Sequence, residues 1–380
     1  MRTILVVPDK FKGSLTAAEV SECVAEVLLS LDPALNVVTL PMADGGEGTC
    51  ELLTTYAKGT TVELDVRDPL FRPIRSRYGL SADKSTAFLE MAQASGLQLL
   101  AKREQNPLVT STVGTGDLIR HALDSGVTQI IMGVGGSGTT DGGMGMADAL
   151  GVNFLDSGGE HLVPVGANMQ RVHTMDMTGV HPRLRQVQFT VFCDVDNPLY
   201  GLQGAAHIFS PQKGANAEMV AQLDAGLMHY EHVLKKAVGK EVNFPGAGAG
   251  GGLPATLYAL TTAELRPGMA YIIEYTGLEN KIADADVVIT GEGKIDEQTL
   301  SGKVVKGVAD LAARYGKPVV AVAGKSTISR DDHERLSLAA VITLTGNGVD
   351  EDEAIKNAAQ LLRKRLSEFW PTFITGHGSA

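Results

Sequence analysis

Short apolar runs recur at both ends of the chain, each followed by a glycine-containing loop and then by apolar positions at helical spacing. This rhythm predicts the βα units of an α/β fold. Residues 4–7 and 37–40 read as strands in the N-terminal region, and residues 287–290, 318–322 and 340–344 read as buried strands near the C-terminus. After the first strand, Thr16 and Glu19 are spaced as a capping box, and Val20, Val24, Val27, Leu28 and Leu31 fall on one helical face. Two more helices are predicted late in the chain. One covers 304–315 with Gly316 just past its end, and the other carries Ile355, Ala359, Leu362, Leu366 and Phe369.

Pooling the two ends gives about five strands, the count of a flavodoxin-like parallel sheet. The fold expected is therefore α/β with two domains. Residues 1–64 and 284–380 would form the discontinuous flavodoxin-like domain, and 65–283 an inserted second α/β domain containing a strand at 129–134 and a helix near 217–237. A length of 380 residues fits two cores better than one. The basic stretch from Arg67 to Arg77 reads as a solvated turn near the boundary.

Composition narrows the function classes. A formal net charge of −11 argues against a nucleic-acid partner, since neutralising phosphates takes an excess of Lys and Arg. Cys23, Cys50 and Cys193 are odd in number and far apart, which implies neither a disulfide framework nor a zinc site and fits a cytoplasmic location. The apolar run near the N-terminus is far shorter than a signal-peptide core, and no long apolar stretch follows, so no membrane association is expected.

The 44 glycines cluster in loops that also carry acids or lysines. Five stand out: PDKFKGSLTA from Pro8, PMADGGEGT from Pro41, GVGGSGTTDGG from Gly133, GAGAGGG from Gly246 and TGEGKIDEQTLSGK from Thr290. Glycine lets backbone N–H groups approach phosphate oxygens, acids such as Asp44, Glu47, Asp141, Glu292 and Asp296 can hold Mg²⁺, and lysines neutralise a transferring phosphate. These are the parts of a phosphoryl-transfer site. Each loop alone could be a plain turn, with Asp as a cap and Lys in solvent. CDVDNPL brings Asp194 to the end of an apolar run, and PQKGA places Lys213 at a helix entry, where it could meet a phosphate or a carboxylate. No Walker A pattern occurs. GVGGSG and GAGAGG both match G-x-G-x-x-G, so a nicotinamide-dependent dehydrogenase stays formally open.

Together with EMAQASGLQLL and STVGTGDLI, these motifs resemble the glycerate kinase family, the bacterial glycerate 2-kinases included, from about Arg2 to Phe369. The chain departs from the usual pattern at Lys10, where Ser is common, and at Gly138, Thr140 and Gly250. The resemblance implies a flavodoxin-like domain interrupted by one similar to restriction endonucleases, and conversion of ATP and D-glycerate to ADP and phosphoglycerate with Mg²⁺, at the 2-hydroxyl for the bacterial type. The site then expected sets ATP phosphates against Gly135, Gly136, Ser137, Gly138 and Thr139, and Mg²⁺ among Asp44, Asp141 and Asp296. Lys12 and Lys294 would offset phosphate charge, Asp194 would act as base, and Lys213 or Arg72 would pair with the substrate carboxylate. A kinase for another small hydroxy acid and a non-catalytic nucleotide or hydroxy-acid sensor are the alternatives, and a homo-oligomer is compatible with either.

Overall fold

The structure, a computed structural model, describes every residue except 44, 298, 300–303 and 377–380. Among the described residues the strands are β1 (Thr3–Pro8), β2 (Asn36–Thr39), β3 (Thr60–Arg67), β4 (Pro73–Leu80), β5 (Thr86–Glu90), β6 (Gln129–Gly133), β7 (Asn153–Leu155), β8 (Thr174–Asp176), β9 (Gln188–Phe192), β10 (Glu264–Arg266), β11 (Val287–Ile295), β12 (Val319–Ser326) and β13 (Ala340–Thr343). They fall into two compact units, one of Met1–Asp44 with Met269–Ala380 and one of Gly45–Gly268.

The first unit holds a five-stranded, wholly parallel sheet in the order β13-β12-β11-β1-β2. Numbered within the unit this is 2-1-3-4-5, the flavodoxin-like order. Its strands are near-continuous apolar runs because both faces are covered. The helices Ala17–Leu31 and Ala358–Gly376 pack on one face through Val20, Val24, Leu28, Leu362, Leu366 and Trp370. Helices Leu278–Asp284 and Val304–Arg314 contact the sheet as well. Thr16 and Glu19 form the capping box expected, with reciprocal bonds of 3.2 and 2.8 Å. The single C-terminal helix expected is instead two, Glu351–Lys356 and Ala358–Gly376, interrupted at Asn357, which carries non-helical φ and ψ.

The second unit is built on a six-stranded mixed sheet, β10-β9-β6-β5-β4-β3. Strands β5, β6, β9 and β10 are mutually parallel, while β4 and β3 close one edge as an antiparallel hairpin. Strands β7 and β8 form a small separate ribbon. One core of buried apolar side chains, from Leu89, Ile130, Phe189 and Val191 out to Tyr230 and Leu253, runs through the unit.

The division falls at 44/45 and 268/269, where the sequence suggested 64/65 and 283/284. Side-chain packing explains the shift. The helix Thr49–Tyr56 lies on β4 and β5, and its N-terminal amides at Gly48 and Cys50 are held by Glu90 of β5. At the other crossing, Met269 packs against Gly307, and the helix Leu278–Asp284 packs on β1.

Candidate functional site

In the second unit, Glu90, Gly133 and Phe192 are register neighbours at the carboxyl ends of β5, β6 and β9. The segments after them, including the loop 134–143 and Cys193 with Asp194, therefore emerge side by side at one sheet edge, where parallel sheets bind ligands. Asp194 is exposed, and its Oδ1 accepts a bond from the Gly268 amide at 3.0 Å. Gly45 closes on the same point, with φ +94° and a Cα whose hypothetical Cβ would lie 2.8 Å from the Gly268 Cα and 3.2 Å from Asp194 Oδ2. Only glycine fits there.

The glycine loop is anchored from below. Gly135, Gly136 and Ser137 reach solvent, whereas Gly138 and Thr139, also expected at the nucleotide phosphates, are buried. The polar groups of Gly138 are taken up internally: its amide donates to the Ser95 carbonyl, and its carbonyl accepts from Thr110 Oγ1 at 3.0 Å. Lys213 is only 1 % exposed, and its ammonium donates to Ser137 Oγ at 2.8 Å and to the Thr139 carbonyl at 2.6 Å. It supports the loop and does not stand open to a substrate carboxylate. Burial lowers its pKa to about 7, with the nearby Asp141 charge opposing that shift.

Asp141 also turns inward. It is 0 % exposed, its Oδ2 accepts from Thr112 N, Thr112 Oγ1 and Gly145 N, and its Oδ1 accepts from Gly143 N. With four accepted bonds and no exposure, this carboxylate serves the fold at the place where a Mg²⁺ ligand was expected. Burial raises its pKa, and the bonds from Thr112 and the two glycine amides oppose that. Arg72 is likewise engaged: its guanidinium binds Asp68 Oδ2 at 2.6 Å and Glu104 Oε1 at 2.8 Å, which neutralises it as a substrate anchor.

In the first unit the remaining candidates gather at the end of β11. Lys294 Nζ lies 3.0 Å from Asp296 Oδ2. Behind them the buried Glu292 accepts a short hydrogen bond from Thr299 Oγ1, and that same oxygen accepts from the Asp296 amide at 3.1 Å. Lys12 follows β1 and lines a cavity with Lys294 and Lys325. Asp44 lies outside the described residues. Among the described residues no three acids, histidines or cysteines gather as a metal cage. Mg²⁺ rarely uses such a cage, keeping one or two carboxylates and completing its shell with phosphate and water, and the hard oxygens of Asp296 fit that pattern.

Two residues escaped the sequence reading. Glu90 is 7 % exposed, and its Oε1 accepts from Gly48 N at 2.9 Å and Cys50 N at 3.1 Å, fixing the GGEGT segment. Its one sequence signal was an acid closing an apolar strand. Lys325 sits where an apolar strand was expected to have ended. A larger cleft of about 470 Å³, beside Arg67 and Asp117, holds none of the candidates.

Comparison with known proteins joins these observations. The profile described as Glycerate kinase family matches residues 4–373. The glycerate kinase of Halalkalibacterium halodurans is 43 % identical over 96 % of both chains, and the glycerate 2-kinase of Escherichia coli is 42 % identical over 93 % of both. A crystal structure assigned as glycerate kinase 2 from Salmonella typhimurium LT2 superposes with a TM-score of 0.89 at 40 % identity, covering 100 % of each chain. With a profile match across nearly its whole length and relatives above two-fifths identity, the chain belongs to the glycerate kinase family, a family of phosphotransferases.

Proposed function

We propose that this kinase transfers the terminal phosphoryl group of ATP to the 2-hydroxyl of D-glycerate, releasing ADP and 2-phosphoglycerate. The observation that carries the reading is Asp194, an exposed carboxylate at the carboxyl end of β9 whose orientation is set by the Gly268 amide. The choice of the 2-hydroxyl is supported by the name of the Escherichia coli relative. Asp194 takes the proton of the substrate hydroxyl as its oxygen bonds to phosphorus, and the bridging P–O bond breaks with its electron pair leaving on ADP. Because such transition states are loose, neutralising charge on the phosphoryl oxygens matters more than the base. Lys12 and Lys294 supply cations for that purpose. Asp296 would hold Mg²⁺ together with nucleotide oxygens, and the ion when bound neutralises phosphate charge.

Three unpaired cysteines and dependence on ATP suit a cytoplasmic enzyme. Among the described residues no helix is long and apolar enough to cross a membrane. The test is ADP release from Mg-ATP with D-glycerate, with L-glycerate as control. D-glycerate should drive release, and equal release with either enantiomer or with neither removes the reading.

A further inference from the structure

The carboxyl edge of the first unit's sheet carries a third lysine, Lys325, that the roles above leave unused. Strand β1 pairs with β11 only as far as Pro8 opposite Gly291, and β13 pairs with β12 only as far as Thr343 opposite Ala323. Strands β11 and β12 continue past both neighbours, with Lys294 opposite Lys325 and Ile295 opposite Ser326. The two strands approach closely just before this point, where a Cβ on Gly324 would lie 2.5 Å from the Gly293 carbonyl oxygen. The result is a two-stranded ribbon that presents two lysines at one register position on the same face.

Like charges set directly opposite one another destabilise a strand pair unless something compensates them. Among the described residues the compensation is incomplete. Lys325 pairs with Glu351 at 2.7 Å and Lys294 with Asp296 at 3.0 Å, but Lys12, from the loop after β1, lines the same cavity and makes no ion pair among the described residues. Among the described residues three ammonium groups thus meet two paired carboxylates, in a chain whose net charge is −11. The cavity they share measures about 130 Å³, with Phe11, Leu344 and Ile355 forming an apolar wall beside the cations. It also adjoins the point where the strand order reverses, between β1 and β11, which is where open parallel sheets take ligands.

We propose that this cavity binds the polyphosphate of the nucleotide, with Lys325 joining Lys294 and Lys12 as phosphate ligands. The inference relies on the kinase reading only for the identity of the anion. It moves the nucleotide phosphates from the loop Gly135–Thr139, where Gly138 and Thr139 are buried, to lysines whose side chains are 53 and 40 % exposed at positions 294 and 325. A nucleotide fits better than phosphoglycerate, because several phosphate groups match several cations and the apolar wall suits the nucleoside end.

Calorimetric titration of the full chain with ADP, 2-phosphoglycerate and orthophosphate tests this. K325M should weaken ADP binding by about tenfold or more, as expected for a lost charge-assisted bond, and leave 2-phosphoglycerate unchanged. E351Q, which removes the carboxylate holding Lys325, should tighten ADP binding, a gain that no folding defect imitates. Unchanged ADP affinity in both variants overturns the proposal, as does a K325M loss confined to 2-phosphoglycerate or orthophosphate. A wild-type chain that binds ADP and loses it in K325M, yet phosphorylates neither enantiomer of glycerate, upholds this site and overturns only the function proposed above.

Discussion

The ammonium of Lys213 donates to the carbonyl oxygen of Thr139 at 2.6 Å, beneath a glycine loop whose outer face is the only part open to solvent. A cation that sequence reasoning offered to the substrate is instead part of the loop's foundation.

That burial makes stability depend on pH. Burial brings the Lys213 pKa down to about 7 in the fold from an ordinary value of 10.5. Between those values the unfolded chain binds a proton that the folded chain does not, so unfolding takes up a proton and stability rises with pH across this window. In K213M the contribution is absent. Wild type should therefore gain on K213M in melting temperature as pH rises from about 7 to about 9.5. A difference that stays constant with pH means Lys213 titrates normally.

Asp141 gives a second outcome that separates a structural from a metal-binding role. Asn at this position offers one acceptor oxygen and an NH₂ where the carboxylate accepted from Thr112, Gly143 and Gly145, and it removes the charge near Lys213. D141N should cost on the order of 3 kcal/mol in urea unfolding, in the absence of any metal. If D141N folds as stably as wild type and loses only its Mg²⁺ dependence, the carboxylate is a metal ligand after all.

For Asp194 the isosteric variant isolates the chemistry. Asn keeps an oxygen able to accept from the Gly268 amide, so D194N should fold normally. Loss of the base should lower kcat by about a hundredfold or more with little change in KM. Near-normal turnover in a folded D194N assigns the proton to another acceptor.

How much of this was legible beforehand depended on whether partners were local in sequence. The first unit's strands announced themselves as apolar runs, because a parallel sheet covered on both faces has no polar side to interrupt them. The Thr16–Glu19 capping box was equally readable, since both partners lie within one turn. The last stretch of β11 was not: Gly-Glu-Gly-Lys-Ile reads as a loop, and it becomes strand only by pairing with β12, some thirty residues on. The same distance effect hid the second partner of Arg72, Glu104, which lies 32 positions away, and the fate of Lys213, which reaches Thr139 across 74. The inward bonds of Asp141 were hidden for a related reason. A DGG turn exposes its acid when the following amides face solvent, and here they point back at the carboxylate. The crossings at 44/45 and 268/269 left no trace in composition because the first lies inside a motif, and Glu90 reveals its attachment only in three dimensions.

The position of phosphorylation is read from the phosphorus spectrum of the product formed from Mg-ATP and D-glycerate. The product should give the resonance of 2-phosphoglycerate, matched by adding the authentic compound. A product that instead coincides with added 3-phosphoglycerate contradicts it, leaving the family membership in place and the proposed chemistry at the 2-hydroxyl wrong.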